Sequence, residues 1–147
     1  MINEQITIDT VIAAPPEIVW QYWTEPDHIM QWNFASDDWC CQSAENDLKV
    51  GGQYRARMEA KDGSFGFDFE AVYDEVSAPN TLTYTMADGR KVATNFEAQG
   101  RSTKVTTIFD AEQENAIDMQ RDGWQAILNN FKSYVESQQT TREEMTT

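Results

Sequence analysis

With 147 residues, 40% of them hydrophobic and 24% charged, the sequence is sized for one domain around one core and is not that of a disordered chain. Its 25 acidic residues against 11 Lys and Arg give a net charge of -14, which repels nucleic-acid phosphates and anionic lipid heads, so neither is expected as a partner. No apolar run approaches the ~20 residues of a membrane helix, the N-terminus MINEQITIDT lacks the pattern of a secretory signal, and the two cysteines, Cys40 and Cys41, are neighbours that build no disulfide framework. The expected compartment is the reducing cytoplasm.

Residues 2–12 predict a first strand, with Ile6, Ile8 and Ile12 on one side. Pro15-Pro16-Glu17 opens a helix whose apolar stripe is Ile18, Val19, Tyr22 and Trp23. Thr24-Glu25-Pro26-Asp27 predicts a capping box for a second short helix through Trp32. Strands and turns follow. Trp39 to Ser43 is a candidate strand, and Asp47 to Gly52 a turn. Gln53 to Ala60 alternates, with Tyr54, Ala56, Met58 and Ala60 on one face. Asp62-Gly63 signals a hairpin into GSFGFDFEAVYDEV, where Phe65, Phe67, Phe69, Ala71 and Tyr73 share a face. Pro79-Asn80 turns the chain into a strand presenting Leu82, Tyr84 and Met86, and Asp88-Gly89 signals a second hairpin. Val92, Thr94, Phe96 and Ala98 alternate next, then Val105, Thr107 and Phe109.

From about Asn115 the period changes to 3.6, with Ile117, Arg121, Trp124, Ile127, Leu128, Phe131 and Val135 on one helical face. Asn115 and Asp118 form a plausible N-cap pair. After Ser137 the tail is polar and expected to fray, so the domain is read as 1–137 with a tail at 138–147. A one-faced sheet and a lone amphipathic helix must bury each other. The fold class is therefore α+β: an antiparallel sheet, curled by its twist, around a long C-terminal helix.

Several segments carry a resemblance. Ala14-Pro15-Pro16-Glu17-Ile18-Val19-Trp20, Ile29-Met30-Gln31-Trp32, Val50-Gly51-Gly52-Gln53-Tyr54, Phe67-Asp68-Phe69-Glu70 and Gly123-Trp124 occur in this order between residues 4 and 137. Together they resemble the family of activator of heat-shock-protein-90 ATPase homologues, a branch of the SRPBCC or START-like superfamily. The resemblance implies a helix-grip fold with a cavity between sheet and helix, where superfamily members bind lipids, sterols, polyketides and other apolar molecules. Some members are cyclases or hydrolases. The eukaryotic namesake stimulates a chaperone ATPase through a larger protein with a further domain. The family supplies no shared catalytic set.

The residues themselves contain no Gly-x-Ser-x-Gly elbow, phosphate loop or dinucleotide fingerprint, and no cofactor is expected. With His28 the single histidine, neither a histidine-built metal site nor an ordinary triad is expected. Asp68 and Glu70 fall opposite the phenylalanines and are read as solvated, paired with Arg55 or Arg57. A bulge after Gly66 would instead turn one inward as an acid or base. Large rings on a concave sheet are hard to pack completely, and Met adapts around a guest. The candidate ligand-contacting residues are Trp32, Phe34, Trp39, Met58, Phe67, Phe69, Tyr84, Phe96, Arg121 and Trp124. Arg121 is either a snorkelling side chain or an anchor for a polar ligand group, and Gly123 marks either close packing, the favoured reading, or space for a ligand. The expected function is binding of an apolar or amphipathic small molecule. A chaperone-interaction module and a carboxylate-using cyclase or hydrolase are the alternatives. Monomer and homodimer both remain open.

Overall fold

Alternating strands joined by tight turns can pair only with their sequence neighbours, and the resulting meander sets the architecture. The computed structural model describes residues 4–34 and 36–146, with the backbone alone for 140–146. The elements are β1 (Gln5–Ile12), α1 (Pro16–Thr24), α2 (Pro26–Trp32), β2 (Trp39–Asn46), β3 (Gln53–Ala60), β4 (Gly66–Ser77), β5 (Thr81–Met86), β6 (Lys91–Gln99), β7 (Ser102–Asp110) and α3 (Ile117–Thr146). All strands form one antiparallel sheet in the order β1-β7-β6-β5-β4-β3-β2. The sheet curls into a half-barrel around α3, with α1 and α2 inserted after the first strand. This is the helix-grip arrangement.

The two Asp-Gly signals act where expected. Gly63 and Gly89 take φ of 78° and 93°, a region closed to most side chains, and their N–H groups close turns onto Ala60 and Met86. Along β1, Ile6 faces Phe109 and Ile8 faces Thr107 across the ladder to β7. On the inner side Ile6, Ile12, Val105, Phe109, Phe131 and Val135 are fully enclosed. Lys132 donates to Val11 O (2.7 Å) and Glu136 Oε2 (2.7 Å), and Glu136 accepts the Ala13 N–H (2.9 Å), so the far half of α3 is clasped to the end of β1.

Several local expectations are corrected. Thr24 caps nothing: its hydroxyl donates to Trp20 O (2.8 Å), a back-bond within α1, and α2 begins at Pro26 without a side-chain cap. Trp20 belongs to the buried face of α1, against Phe96 at 5.6 Å. From the first turn of α3, Gln120 braces the preceding loop: its Nε2 donates to Glu112 O and Asn115 O and its Oε1 accepts the Glu112 N–H. β2 runs three residues beyond Ser43. The helix runs past Ser137 to Thr146; the side chains of 140–146, residue 147 and the first residues of the predicted opening strand lie outside the described residues. Among the described residues no helix is long and apolar enough to cross a membrane.

Candidate functional site

The inner face of β4 is graded. Phe65, just before the strand, and Phe67 are 62% and 41% exposed, Phe69 is half-buried, and Ala71 and Tyr73 are buried. The face therefore descends from a rim into the interior. Where it descends, sheet and helix do not meet, and a cavity of about 270 Å³ lies between them. Its sheet wall comes from Tyr54 and Met58 on β3, Phe67, Phe69 and Tyr73 on β4, and Leu82, Tyr84 and Met86 on β5. Trp124, Ile127 and Leu128 of α3 form the opposite wall, and Trp23, Trp32 and Asn33 close one side. Thr94 and Thr107 lie at the wall with hydroxyls 2.9 Å apart, sharing one hydrogen bond.

Rings dominate this lining. Tyr54, Phe69, Tyr73 and Tyr84 are linked by centroid separations of 5.8–6.1 Å. Asn33 Nδ2 donates to Tyr54 Oη at 3.1 Å, which leaves the Tyr54 hydroxyl proton unspent among the described residues. Burial pushes the phenols of Tyr54, Tyr73 and Tyr84 above their ordinary range, so all three stay neutral hydrogen-bond donors at neutral pH. Arg90 also lines the cavity, and its charge is the only formal one among the described lining residues. Its Nε donates to Asp88 Oδ2 at 2.7 Å, and its backbone N–H reaches Asp88 Oδ1 at 3.1 Å. Partial burial raises the Asp88 carboxyl, but these hydrogen bonds and the adjacent charge outweigh it and hold the group below its ordinary value.

Six of the ten candidate residues, Trp32, Met58, Phe67, Phe69, Tyr84 and Trp124, line the cavity. The other four lie elsewhere. Phe96 is buried against Trp20 and Trp23 as core. Trp39 stands at the rim against Phe65 and Phe67, at 5.9 and 6.0 Å. Phe34 borders a separate groove with Ser36, Asp37 and Asn130. Arg121 leaves the apolar stripe: it is 46% exposed and pairs with Asp118 at 3.0 Å, because an acid three residues earlier offers a partner that needs no desolvation. A Cβ at Gly123 would meet nothing within 4 Å, so close packing does not explain that glycine.

Tyr54, Tyr73 and Arg90 were absent from the candidates. Tyr54 and Tyr73 were legible as members of alternating faces, but a single arginine beside a turn reads as a solvent residue, although it shares the inward parity of Val92 and Thr94. The carboxylates of β4 remain outside. Register is unbroken from Gly66 to Val72, and Glu70 and Asp68 pair with Arg55 (3.0 Å) and Arg57 (3.5 Å). The bulges of the sheet fall instead at Cys41/Ser43 and Tyr73/Glu75. His28 stacks on Tyr22 (centroids 4.1 Å) and shares a 2.7 Å hydrogen bond with Tyr134, tying α2 to α3 away from the cavity. Among the described residues no group of three or more His, Cys, Asp or Glu is placed to hold a metal.

Residues 13–136 match the family model described as Activator of Hsp90 ATPase homolog 1-like protein. The solution structure of an AHSA1-like protein from Aeromonas hydrophila superposes with a TM-score of 0.87 at 44% identity, over 91% of this chain and 93% of that one. The solution structure of Chr148 from Cytophaga hutchinsonii gives a TM-score of 0.79 at 47% identity, over 92% and 94%. The crystal structure of NE0264 from Nitrosomonas europaea shares the fold, with a TM-score of 0.80 at 17% identity over 91% and 95%. No curated protein matches. The family match begins just before α1 and runs through most of α3, across the elements that enclose the cavity; the chain belongs to the Activator of Hsp90 ATPase homolog 1-like family.

Proposed function

We propose that this protein binds one apolar or amphipathic small molecule between sheet and α3 and performs no chemistry on it. The observation that supports this reading is the unfilled space of about 270 Å³ with a lining of rings and methionines. Protein interiors pack at a density of about 0.75 and leave few voids, and a small ligand fits an apolar concavity of this kind. Removing apolar ligand surface from water contributes roughly 25 cal/mol per Å² before the costs of association. Neutral tyrosine hydroxyls orient an oxygen-bearing end at little desolvation cost. The carboxylates of β4 face outward, so they lend no support to a cyclase or hydrolase.

A ligand held only by the folded state raises the melting temperature with concentration. A screen of apolar and amphipathic metabolites by thermal shift, with native mass spectrometry of what copurifies, is expected to find such a molecule. Phe69→Trp, which fills the space, is expected to abolish that shift while leaving a cooperative unfolding transition. Equal binding by both proteins overturns the assignment. The family description supports a second reading, stimulation of a chaperone ATPase. The exposed rings Trp39, Phe65 and Phe67 provide a surface for it. An ATPase assay with purified chaperone, in the absence of any small molecule, separates the two.

A further inference from the structure

Resting on the cavity reading above, we propose that the occupant is an organic acid: an apolar body, held among the rings, ending in a carboxylate that docks on Arg90 and Tyr84. The whole protein is strongly acidic, yet no Asp or Glu is among the cavity's described lining residues and its one formal charge is positive. A cation enclosed by an apolar wall is costly unless something compensates it. Asp88 does so only in part. It occupies the Nε edge of the guanidinium, and among the described residues neither Nη group has a partner. Arg90 is only 21% exposed, so water covers little of it. The Nη edge is the part of the fork suited to grip an oxyanion through two parallel hydrogen bonds.

Tyr84 supplies a second donor at the right place. It pairs with Val92 across β5 and β6, while Met86 and Arg90 are joined by the next backbone hydrogen bond toward the turn. Tyr84 and Arg90 are thus diagonal neighbours on the inner face, a spacing that long side chains bridge. The Tyr84 hydroxyl makes no hydrogen bond to any described residue, and burial keeps it protonated. The carboxylate at this corner, Asp88, is spent on the Nε edge, so the Nη edge of Arg90 and the Tyr84 hydroxyl are left as donors facing the space. That chemistry selects a carboxylate over an amine, whose ammonium would face an arginine in a poorly solvated space, and over an alcohol, which accepts fewer bonds.

The test uses matched pairs that differ only in the head group: naphthylacetic acid with naphthylethanol, and decanoic acid with decanol. Affinities are measured by tryptophan fluorescence and calorimetry on the full chain. The wild-type protein is expected to prefer the acid of at least one pair by about 10- to 100-fold, the worth of a charge-assisted hydrogen-bond set. Arg90→Met keeps the apolar stem and is expected to erase that preference by weakening the acid far more than the alcohol. Tyr84→Phe is expected to reduce it about 5- to 10-fold. If acid and alcohol bind equally to wild type, or Arg90→Met weakens both alike, the head-group assignment falls and the cavity reading stands. If neither member of either pair binds, both fall together.

Discussion

The two ends of the sheet–helix interface are both lined mainly by apolar side chains and reach opposite outcomes. Toward β1, branched and aromatic side chains from sheet and helix close completely: Ile6, Val105, Phe109, Phe131 and Val135 are enclosed, and the Lys132–Glu136 clasp fixes the helix to the strand. Toward β3, β4 and β5 the sheet presents rings of Tyr and Phe, the helix presents the flank of Trp124, and space remains. Trp124 marks the border, since its other face is stacked on Phe109 at 4.0 Å. Isoleucine and valine interdigitate, whereas rigid rings projecting from a curved surface diverge and leave volume between their tips. The filled end holds the fold together, and the hollow end is free to be specialised.

That division yields graded predictions. The largest effect belongs to the filled end. Phe131, fully buried and edge-on to Trp23 and Trp32 at 4.8 Å, is expected to cost about 3–5 kcal/mol when cut to alanine. Phe69→Ala, beside existing space, is expected to cost roughly 1–2 kcal/mol in the same urea titration. Equal losses would break the distinction between the ends.

The clasp adds a pH dependence to the filled end. Partial burial raises the Glu136 carboxyl, but the Lys132 ammonium and the Ala13 N–H outweigh it, and the group lies below its ordinary value of 4.5. A folded-state value below the unfolded one stabilises the protein above the unfolded value, and that contribution fades as pH falls through the folded value. Glu136→Gln is therefore expected to flatten the loss of stability as pH falls below about 4.5, measured as unfolding midpoints. An unchanged acid limb would show that the clasp carries no linkage.

The smallest effect tests the hollow end. Gly123 lies one residue before Trp124 with open space where a Cβ would stand, so Gly123→Ala is expected to raise stability by up to about 1 kcal/mol from helix propensity alone. A loss instead would mean that the helix needs the glycine for a conformation other than this one.

Most of the fold was legible because its signals are local. Asp62-Gly63 and Asp88-Gly89 place hairpins, period-two runs place strands, and the change of period at Asn115 places the helix. The site was legible only as far as strand faces are. Alternation puts Phe67, Phe69 and Tyr84 inward, but it cannot tell which inward ring meets a partner and which meets space. Phe96 shares the inward pattern, yet α1 covers it with Trp20 and Trp23. Arg121 fits the helical stripe by spacing, but near the start of α3 an ion pair with Asp118 in solvent is the cheaper option. Arg90 shows the reverse failure: it has the parity of inward Val92 and Thr94, but beside the Asp88-Gly89 turn an arginine reads as solvated.

The bulge between Cys41 and Ser43 has a consequence for how copies of this protein meet. β2 forms one free margin of the sheet, where unpaired amides would otherwise template an incoming strand. The extra residue throws the spacing of those amides out of step, so continuation of the ladder by a second chain is discouraged at that margin.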